Sequence, residues 1–307
     1  MRVLVTGGAG FIGSHVVDQL LAEDYSVTVI DDLSSGNVDN LSDRVQFFQQ
    51  DICDPEANHT VAQIKPEIIV HAAAQMSVSA SMKDPIKDVQ VNLAGMLNIL
   101  NAYERKDLPY FLFISTGGAL YGEQEEYPAS ENHPIRPTSV YGQSKHCAEE
   151  YLALWKRVYG LNYGVLRLAN VYGPRQNPHG EAGVVAIFLK KLLAGEQPTI
   201  FGTGEFTRDY VYVSDVVDAV SKMLSHKDSG TYNIGTGVET SVNDLYQSIL
   251  AATDSTQEVA YAEQRAGDQA RSVISARAAK ESLGWEASKS LKDGLEETAS
   301  WFAKQVV

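Results

Sequence analysis

Cysteine is scarce in this chain, with two in 307 residues, Cys53 and Cys147. Two thiols cannot build a disulfide framework or a thiolate metal site, so both read as small packing residues. The seven histidines never fall in HExxH or HxH spacing, which argues against catalysis by a protein-bound metal. Long apolar runs are missing too. No segment approaches the ~18 consecutive apolar residues of a membrane span, and the longest, from Gly183 to Leu189, has the length of a buried helix face. Val3-Leu4-Val5 leads straight into Thr6-Gly7-Gly8, so no signal peptide is expected and the expected location is cytoplasmic. Positive charge is also short. The formal net charge is −14 and there is no Lys/Arg-rich run, which speaks against a nucleic-acid partner. A phosphate-bearing ligand must then be held by a few placed arginines and by helix N-termini.

What is present is an alternation of short apolar runs and helical patterns. Arg2–Thr6, Ser26–Asp31, Val45–Gln49, Ile68–His71 and Tyr110–Ser115 read as strands. Between them, Gly13–Glu23, Asp54–Ile64 and Asp84–Arg105 carry helical periodicity, and helix Val140–Tyr159 and strand Asn162–Ala169 extend the series. This order predicts an α/β fold, a Rossmann-type doubly wound parallel sheet with helices on both faces. After Val171-Tyr172-Gly173-Pro174 the elements shorten. A helix at Val184–Ala194, a strand at Asp209–Val213 and helices from Ser241 and Leu291 suggest a smaller C-terminal α/β substrate-binding domain. The expected division is 1–170 for the dinucleotide domain and 171–307 for the substrate domain, with 208–235 partly returning to the first.

The first strand runs into Gly7-Gly8-Ala9-Gly10-Phe11-Ile12-Gly13, and a helix follows. Gly7 permits the tight turn, Gly10 lets backbone approach a pyrophosphate, and Gly13 allows close helix–strand packing. Asp31 closes the second strand, where a carboxylate hydrogen-bonds ribose hydroxyls and repels the extra phosphate of NADP. Strand, turn, helix, strand and acid in that order predict NAD as cofactor. Asp32, next in line, reads as a loop acid beside the same site.

Tyr141 and Lys145 stand four apart, on one face of the helix that begins at Val140. That spacing arises readily by chance, and a surface pair stabilising a helix is the bland reading. Context favours chemistry, because Ser115-Thr116 ends the preceding strand. A phenol of pKa ~10 is a poor base at neutral pH, but nearby cations stabilise the phenolate. A hydroxyl from Thr116 or Ser115 could orient a substrate alcohol.

Taken together, Gly7–Gly13, Asp31, His71-Ala72-Ala73-Ala74, Ser115-Thr116, Tyr141…Lys145 and Arg167-Leu168-Ala169-Asn170-Val171-Tyr172-Gly173-Pro174 resemble the extended short-chain dehydrogenase/reductases. The stretches Phe201–Tyr210, Tyr232-Asn233-Ile234-Gly235 and Arg265-Ala266-Gly267-Asp268 resemble the nucleotide-sugar branch of that family. The resemblance implies that Asp51 and Ile52 sit near the adenine, Ala72, Ala73 and Ala74 near the ribose and pyrophosphate, and Asn92 near the cofactor site. It also implies that Asn170, Arg208 and Arg265 bind the substrate diphosphate, with Asp268 in the same segment. Arg208 followed by Asp209 would otherwise pass as an ion pair.

The opening step implied by the family is removal of the sugar's C4-hydroxyl proton by Tyr141, coupled to hydride transfer to NAD⁺. Dehydratases of the family follow the threonine with Asp-Glu, and decarboxylases tend to carry a nearby Glu. Here Gly117-Gly118 follow Thr116, and glycine moves no protons. The expected outcome is therefore 4-epimerisation of a UDP-hexose through a 4-keto intermediate. Thr116 is favoured over Ser115 as the orienting hydroxyl because it stands 25 residues before Tyr141. Ser272 falls where the family resembles a gatekeeper position, and a small side chain there leaves room for a 2-acetamido group. The bland reading puts Ser272 in solvent. Rival readings are a uronate 4-epimerase or decarboxylase with Arg175 holding a C6 carboxylate, a 4,6-dehydratase, and a non-catalytic NAD-binding protein. Family members commonly pair two helices equivalent to 84–105 and 140–159 across a two-fold axis, so a homodimer through a four-helix bundle is expected.

Overall fold

The computed structural model describes residues 1–178, 183–227, 229–264 and 269–305. Its strands are β1 (Arg2–Thr6), β2 (Ser26–Asp31), β3 (Gln46–Gln49), β4 (Ile68–His71), β5 (Tyr110–Thr116), β6 (Tyr163–Leu168) and β7 (Asn170–Tyr172). The later ones are β8 (Thr199–Phe201), β9 (Thr207–Arg208), β10 (Tyr210–Tyr212), β11 (Thr231–Ile234), β12 (Thr240–Ser241), β13 (Ala260–Ala262) and β14 (Arg271–Ser272). The helices begin with α1 (Phe11–Ala22), α2 (Pro55–Ile64), α3 (Val78–Lys83), α4 (Pro85–Val89), α5 (Met96–Leu100) and α6 (Val140–Tyr159). They end with α7 (Val184–Leu193), α8 (Val213–His226), α9 (Val242–Ala252), α10 (Arg277–Leu283) and α11 (Leu291–Gln305).

Seven strands form one parallel sheet in the order β11-β6-β5-β4-β1-β2-β3. The chain winds outward from β1 to β3, then crosses back to β4 and winds the other way. Strand ends therefore diverge beside β1 and β4, where α/β sheets open a ligand crevice. Period-two alternation covers both faces. Val3, Val5, Ile68, Val70, Leu112 and Ile114 point into one core with α1 and α8, while Leu4, Ile69, Phe111 and Phe113 point into another with α2, α5 and α6. A third core joins α7, α9 and α11 through Phe188, Tyr246, Leu295 and Phe302.

Residues 208–235 contribute in two ways. β9 pairs with β12 and β14, and β10 with β7, outside the large sheet. α8 then packs on α1 and β11 adds the edge strand next to β6.

The helical pattern over 84–105 forms a helix that starts at Pro85 and ends early, at Leu100; α4 and α5 are joined through a π-helical turn at Gln90–Gly95 with helical backbone at both junctions. The wide turn carries Asn92, whose amide is held by Gln75, Asp88 and Ser144. Beyond Leu100 the chain is drawn off by tertiary contacts: the Tyr103 hydroxyl donates to the Pro66 carbonyl, and the Arg105 guanidinium lies over Trp155 and Tyr159.

One ion pair is buried beneath the sheet's C-terminal edge. Arg167 of β6 donates to Glu149 of α6 through Nη2 at 2.7 Å, and both side chains are only 8% exposed. Ser115 adds a 2.5 Å hydrogen bond to the same carboxylate, and Arg167 reaches Tyr121 at 3.0 Å. Removing one partner strands the other charge away from water. Glu149→Ala is expected to lower stability by about 3–5 kcal/mol in equilibrium urea unfolding. A loss under about 1 kcal/mol would mean that water reaches the guanidinium.

Candidate active site

The crevice at the sheet's switch point is lined by the strand ends and the segments that follow them, by Tyr141 and Lys145 of α6, and by Leu168–Val171, Gln176 and Asn177. Gly7 sits at φ +70°, and a Cβ there would lie 2.6 Å from the Ala73 nitrogen. A Cβ on Gly13 would lie 2.1 Å from the Gly7 carbonyl oxygen. These contacts press the start of α1 against the end of β1. Gly10 caps α1 without a side-chain hydrogen bond, so the first-turn amides of Phe11, Ile12 and Gly13 remain for an anion in the cleft. This cradle is shaped for a diphosphate.

Toward one end lie Asp31, Asp32, Ser34, Ser35, Gln50, Asp51 and Ile52. Asp31 accepts from the Ala9 amide at 3.0 Å and the Leu33 amide at 2.8 Å, which fixes its carboxylate at the tip of β2. Burial nevertheless pushes its pKa above the usual carboxylate value, against the lowering effect of those amides. Asp32 is turned into its own loop, where it accepts from Ser34. Asp51 accepts from the Cys53 amide, and Ile52 is anchored through its carbonyl by Asn98. Ala72, Ala73 and Ala74, directly after β4, form the adjoining wall. Asn92 is buried behind that wall, where its amide braces Gln75, Asp88 and Ser144.

At the other end stand Ser115, Thr116, Tyr141, Lys145 and Asn170. α6 begins where Ser139 accepts from the Gly142 amide, and the buried Ser81 accepts from the Tyr141 amide at 3.0 Å. Tyr141 and Lys145 thus share the helix face turned to the cleft. The Thr116 hydroxyl accepts from the Ala119 amide at 3.2 Å, and its influence on the Tyr141 phenol is to lower that group's pKa. Ser115 lines the cleft too, but its hydroxyl donates to Glu149. Of the two expected hydroxyls, that of Ser115 is committed to Glu149, and that of Thr116 keeps its proton free to donate.

Lys145 is 2% exposed, and its ammonium lies 4.1 Å from the centre of the Phe113 ring. Burial pulls it down to about 7, opposed by the charges of Glu149 and Asp88. Burial pushes the Tyr141 phenol up to about 12, with the Thr116 hydrogen bond working the other way. The protein's own groups therefore leave this phenol protonated at neutral pH. Desolvation, with the charge of Asp88, outweighs the lowering effect of Thr116.

Asn170 lines the cleft opposite Gly118, where an added Cβ would lie 3.3 Å from the Asn170 Oδ1. Arg208 does not form an ion pair with Asp209. Its Nη1 donates to the Thr207 carbonyl, while Asp209 accepts from Thr236 and Gly237. Arg208 and Ser272 are register partners across β9 and β14. Ser272 is buried, not in solvent, with its hydroxyl 3.5 Å from the Gly118 carbonyl oxygen. Neither residue lines the cofactor cleft itself. Arg265 and Asp268 lie outside the described residues. Arg175, the residue a bound carboxylate would need, donates instead to Asp18 of α1 at 2.8 Å.

Several wall residues had no motif to mark them: Gln50, Met76, Val91, Gln176 and Asn177. Each sits on a segment that reaches the crevice only because of the sheet order. Ser81 was equally hidden, although Ser77 before Val78–Lys83 is a recognisable N-cap.

A model of the NAD dependent epimerase/dehydratase family matches residues 3–235. Over an alignment of 308 residues the chain is 44% identical to a UDP-glucose 4-epimerase of Mycolicibacterium smegmatis, covering 98% of each. It is 46% identical to a UDP-glucose 4-epimerase of Thermotoga maritima solved with UDP-glucose, with a TM-score of 0.97 and 100% of both chains covered. A UDP-glucose 4-epimerase of Thermus thermophilus solved in complex with NAD is 42% identical, with a TM-score of 0.93 over 98% of this chain and 99% of that one. With its glycine cradle, Asp31 and the Tyr141–Lys145 helix in one crevice, the chain belongs to the NAD-dependent epimerase/dehydratase family.

Proposed function

We infer that this protein is an isomerase that interconverts UDP-glucose and UDP-galactose by NAD-dependent 4-epimerisation. The observation that carries the reading is the distribution of carboxylates along the cleft. Asp31, Asp32 and Asp51 all lie at the adenosine end, and among the described residues no carboxylate lines the end that holds Thr116 and Tyr141. Glu149 is near in sequence to Lys145 but is turned away and neutralised by Arg167. Gly117 and Gly118 occupy the positions where elimination or decarboxylation would need an acid and a base. The site can oxidise C4 and reduce it again, and little else.

When bound, NAD⁺ supplies the hydride acceptor at C4 and a positive ring charge next to the phenol. Tyr141 takes the proton of the C4 hydroxyl as that carbon is oxidised, and it returns the proton when the ketone is reduced. Thr116 donates to the substrate oxygen or to the phenolate and holds the two in line. Lys145 keeps positive charge at the phenolate in a site almost free of water. Turning of the 4-ketose between the two half-reactions exposes its other face, so the binding energy belongs on the nucleotide. Asn170 on the cleft wall, with Arg208 and Arg265, is proposed to hold the diphosphate, and Asp268 to contact the substrate. The pairing of Arg175 with Asp18 weighs against a uronate substrate.

The test supplies UDP-galactose to the purified protein without added NAD and resolves the products chromatographically. UDP-glucose is the expected product. Tyr141→Phe is expected to lower turnover by about 10²–10⁴-fold, the contribution of a placed general base, with NAD still bound. Because the protein alone holds the phenol near 12, a tyrosinate difference band at pH 8 is expected in the holoenzyme and not after the cofactor is stripped. A band that survives stripping would show that Lys145 suffices.

We also propose that UDP-N-acetylglucosamine and UDP-N-acetylgalactosamine are accepted. Ser272 backs onto the Gly118 carbonyl beside Thr116, and its small side chain leaves width where an acetamido group would project. Ser272→Tyr is expected to cut turnover of the N-acetyl sugars at least tenfold more than that of UDP-galactose. Equal losses would sink the assignment.

The working form is proposed to be a cytoplasmic homodimer. Both cysteines are free, as a reducing compartment requires. Ile86 and Val89 on α4 are 69% and 43% exposed, and Leu154 and Val158 on α6 are 38% and 58% exposed. Two such faces meeting across a two-fold axis make a four-helix bundle. The double substitution Ile86→Asp, Val158→Asp is expected to halve the mass measured by light scattering. A wild-type protein already monomeric at micromolar concentration would overturn the dimer.

A further inference from the structure

The loop after β7 meets the cofactor cleft through Gln176 and Asn177, both of which line it. The two residues before them are tied to α1, the helix whose first turn forms the diphosphate cradle. His15 Nε2 lies 3.0 Å from the Pro174 carbonyl oxygen and donates to it in the tautomer protonated at that nitrogen. One turn along the same helix, Asp18 accepts from Arg175 Nη1 at 2.8 Å. Arg175 adopts φ +66°, a left-handed conformation that a residue with a Cβ holds only where its surroundings enforce it. The Gln176 side chain then turns back and donates to the Val171 carbonyl. Two anchors on successive turns of α1 thus hold in place a segment that walls the cofactor.

We propose that Asp18 and Arg175, seconded by His15, form a latch that sets how long NAD stays bound. This rests on the reading of the cleft as an NAD site working in 4-epimerisation. That reaction is redox-neutral at a single carbon: the two electrons and the hydrogen removed from C4 must return to C4 of the same sugar. A cofactor that departed in its reduced form would strand the ketose, so slow release is a requirement of the chemistry. Asp18 and Arg175 touch neither the sugar nor the reacting atoms and act as positioning residues through Gln176 and Asn177. The pair is partly exposed, 44% and 24%, so its effect is modest and sensitive to salt.

The experiment loads labelled NAD⁺ into the wild-type protein, Asp18→Asn, Arg175→Gln and Asp18→Glu, then chases with excess unlabelled NAD⁺. Release from the two neutralised variants is expected to be about two- to fivefold faster, the scale of a partly exposed ion pair, while Asp18→Glu stays near the wild type. Raising the salt should speed release from the wild type and leave the neutralised variants nearly unmoved. Release at the wild-type rate from both Asp18→Asn and Arg175→Gln would overturn the latch. Failure of the wild-type protein to hold labelled NAD⁺ at all would instead overturn the cofactor reading beneath it.

Discussion

The approach of α1 to β1 is the constraint on which the rest of the molecule depends. The Gly13 Cα and the Gly7 carbonyl are so close that one methyl group would meet the oxygen at 2.1 Å. Only at that distance do the open amides of the first turn of α1 face the crevice, and only then can Asp31 reach the Ala9 amide and stand fixed at its rim. The neighbouring wall is set by the same packing, because Gly7 also lies against the backbone at Ala72 and Ala73. The absence of side chains at the glycines does the geometric work, and the dipole of α1 does the electrostatic work.

Along the cleft, charge is sorted by task. Carboxylates gather where ribose hydroxyls need acceptors. The opposite end holds a phenol, an ammonium and a threonine, all in low-dielectric surroundings. Burial raises the phenol to about 12 and lowers the ammonium to about 7, so the protein's own groups leave the phenol protonated at neutral pH. A cationic cofactor bound beside it would favour the phenolate. The Glu149–Arg167 pair beneath ties down Ser115, whose hydroxyl donates to the Glu149 carboxylate.

The C-terminal half takes part through strands that return. β11 completes the large sheet beside β6, and β9 brings Arg208 into register with Ser272. Ser272 reaches the Gly118 carbonyl from there. Residues distant in sequence from α6 are thus brought beside the loop that follows Thr116.

Much of this was legible in the residues themselves, because the relevant signals are local. Alternation of Val3, Leu4 and Val5 reports a strand buried on both faces, Gly7–Gly13 reports a tight turn into a helix, and Tyr141 with Lys145 reports one helix face. Such features depend on backbone geometry within a few residues and are written in spacing. Other features depend on partners far along the chain. Ser115 and Thr116 are equivalent as sequence, and only Glu149, 34 residues on from Ser115, removes one of them. Arg175 reads as free to bind a carboxylate until Asp18, 157 residues away, is found paired with it. The periodicity of 84–105 suggests a helix over its full length, yet Tyr103 and Arg105 find tertiary partners and it ends at Leu100. Fold class, the glycine cradle and the helix face shared by Tyr141 and Lys145 follow from local spacing alone. Which hydroxyl is left uncommitted and which arginine is already paired depend on long-range hydrogen bonds and ion pairs that no local pattern encodes.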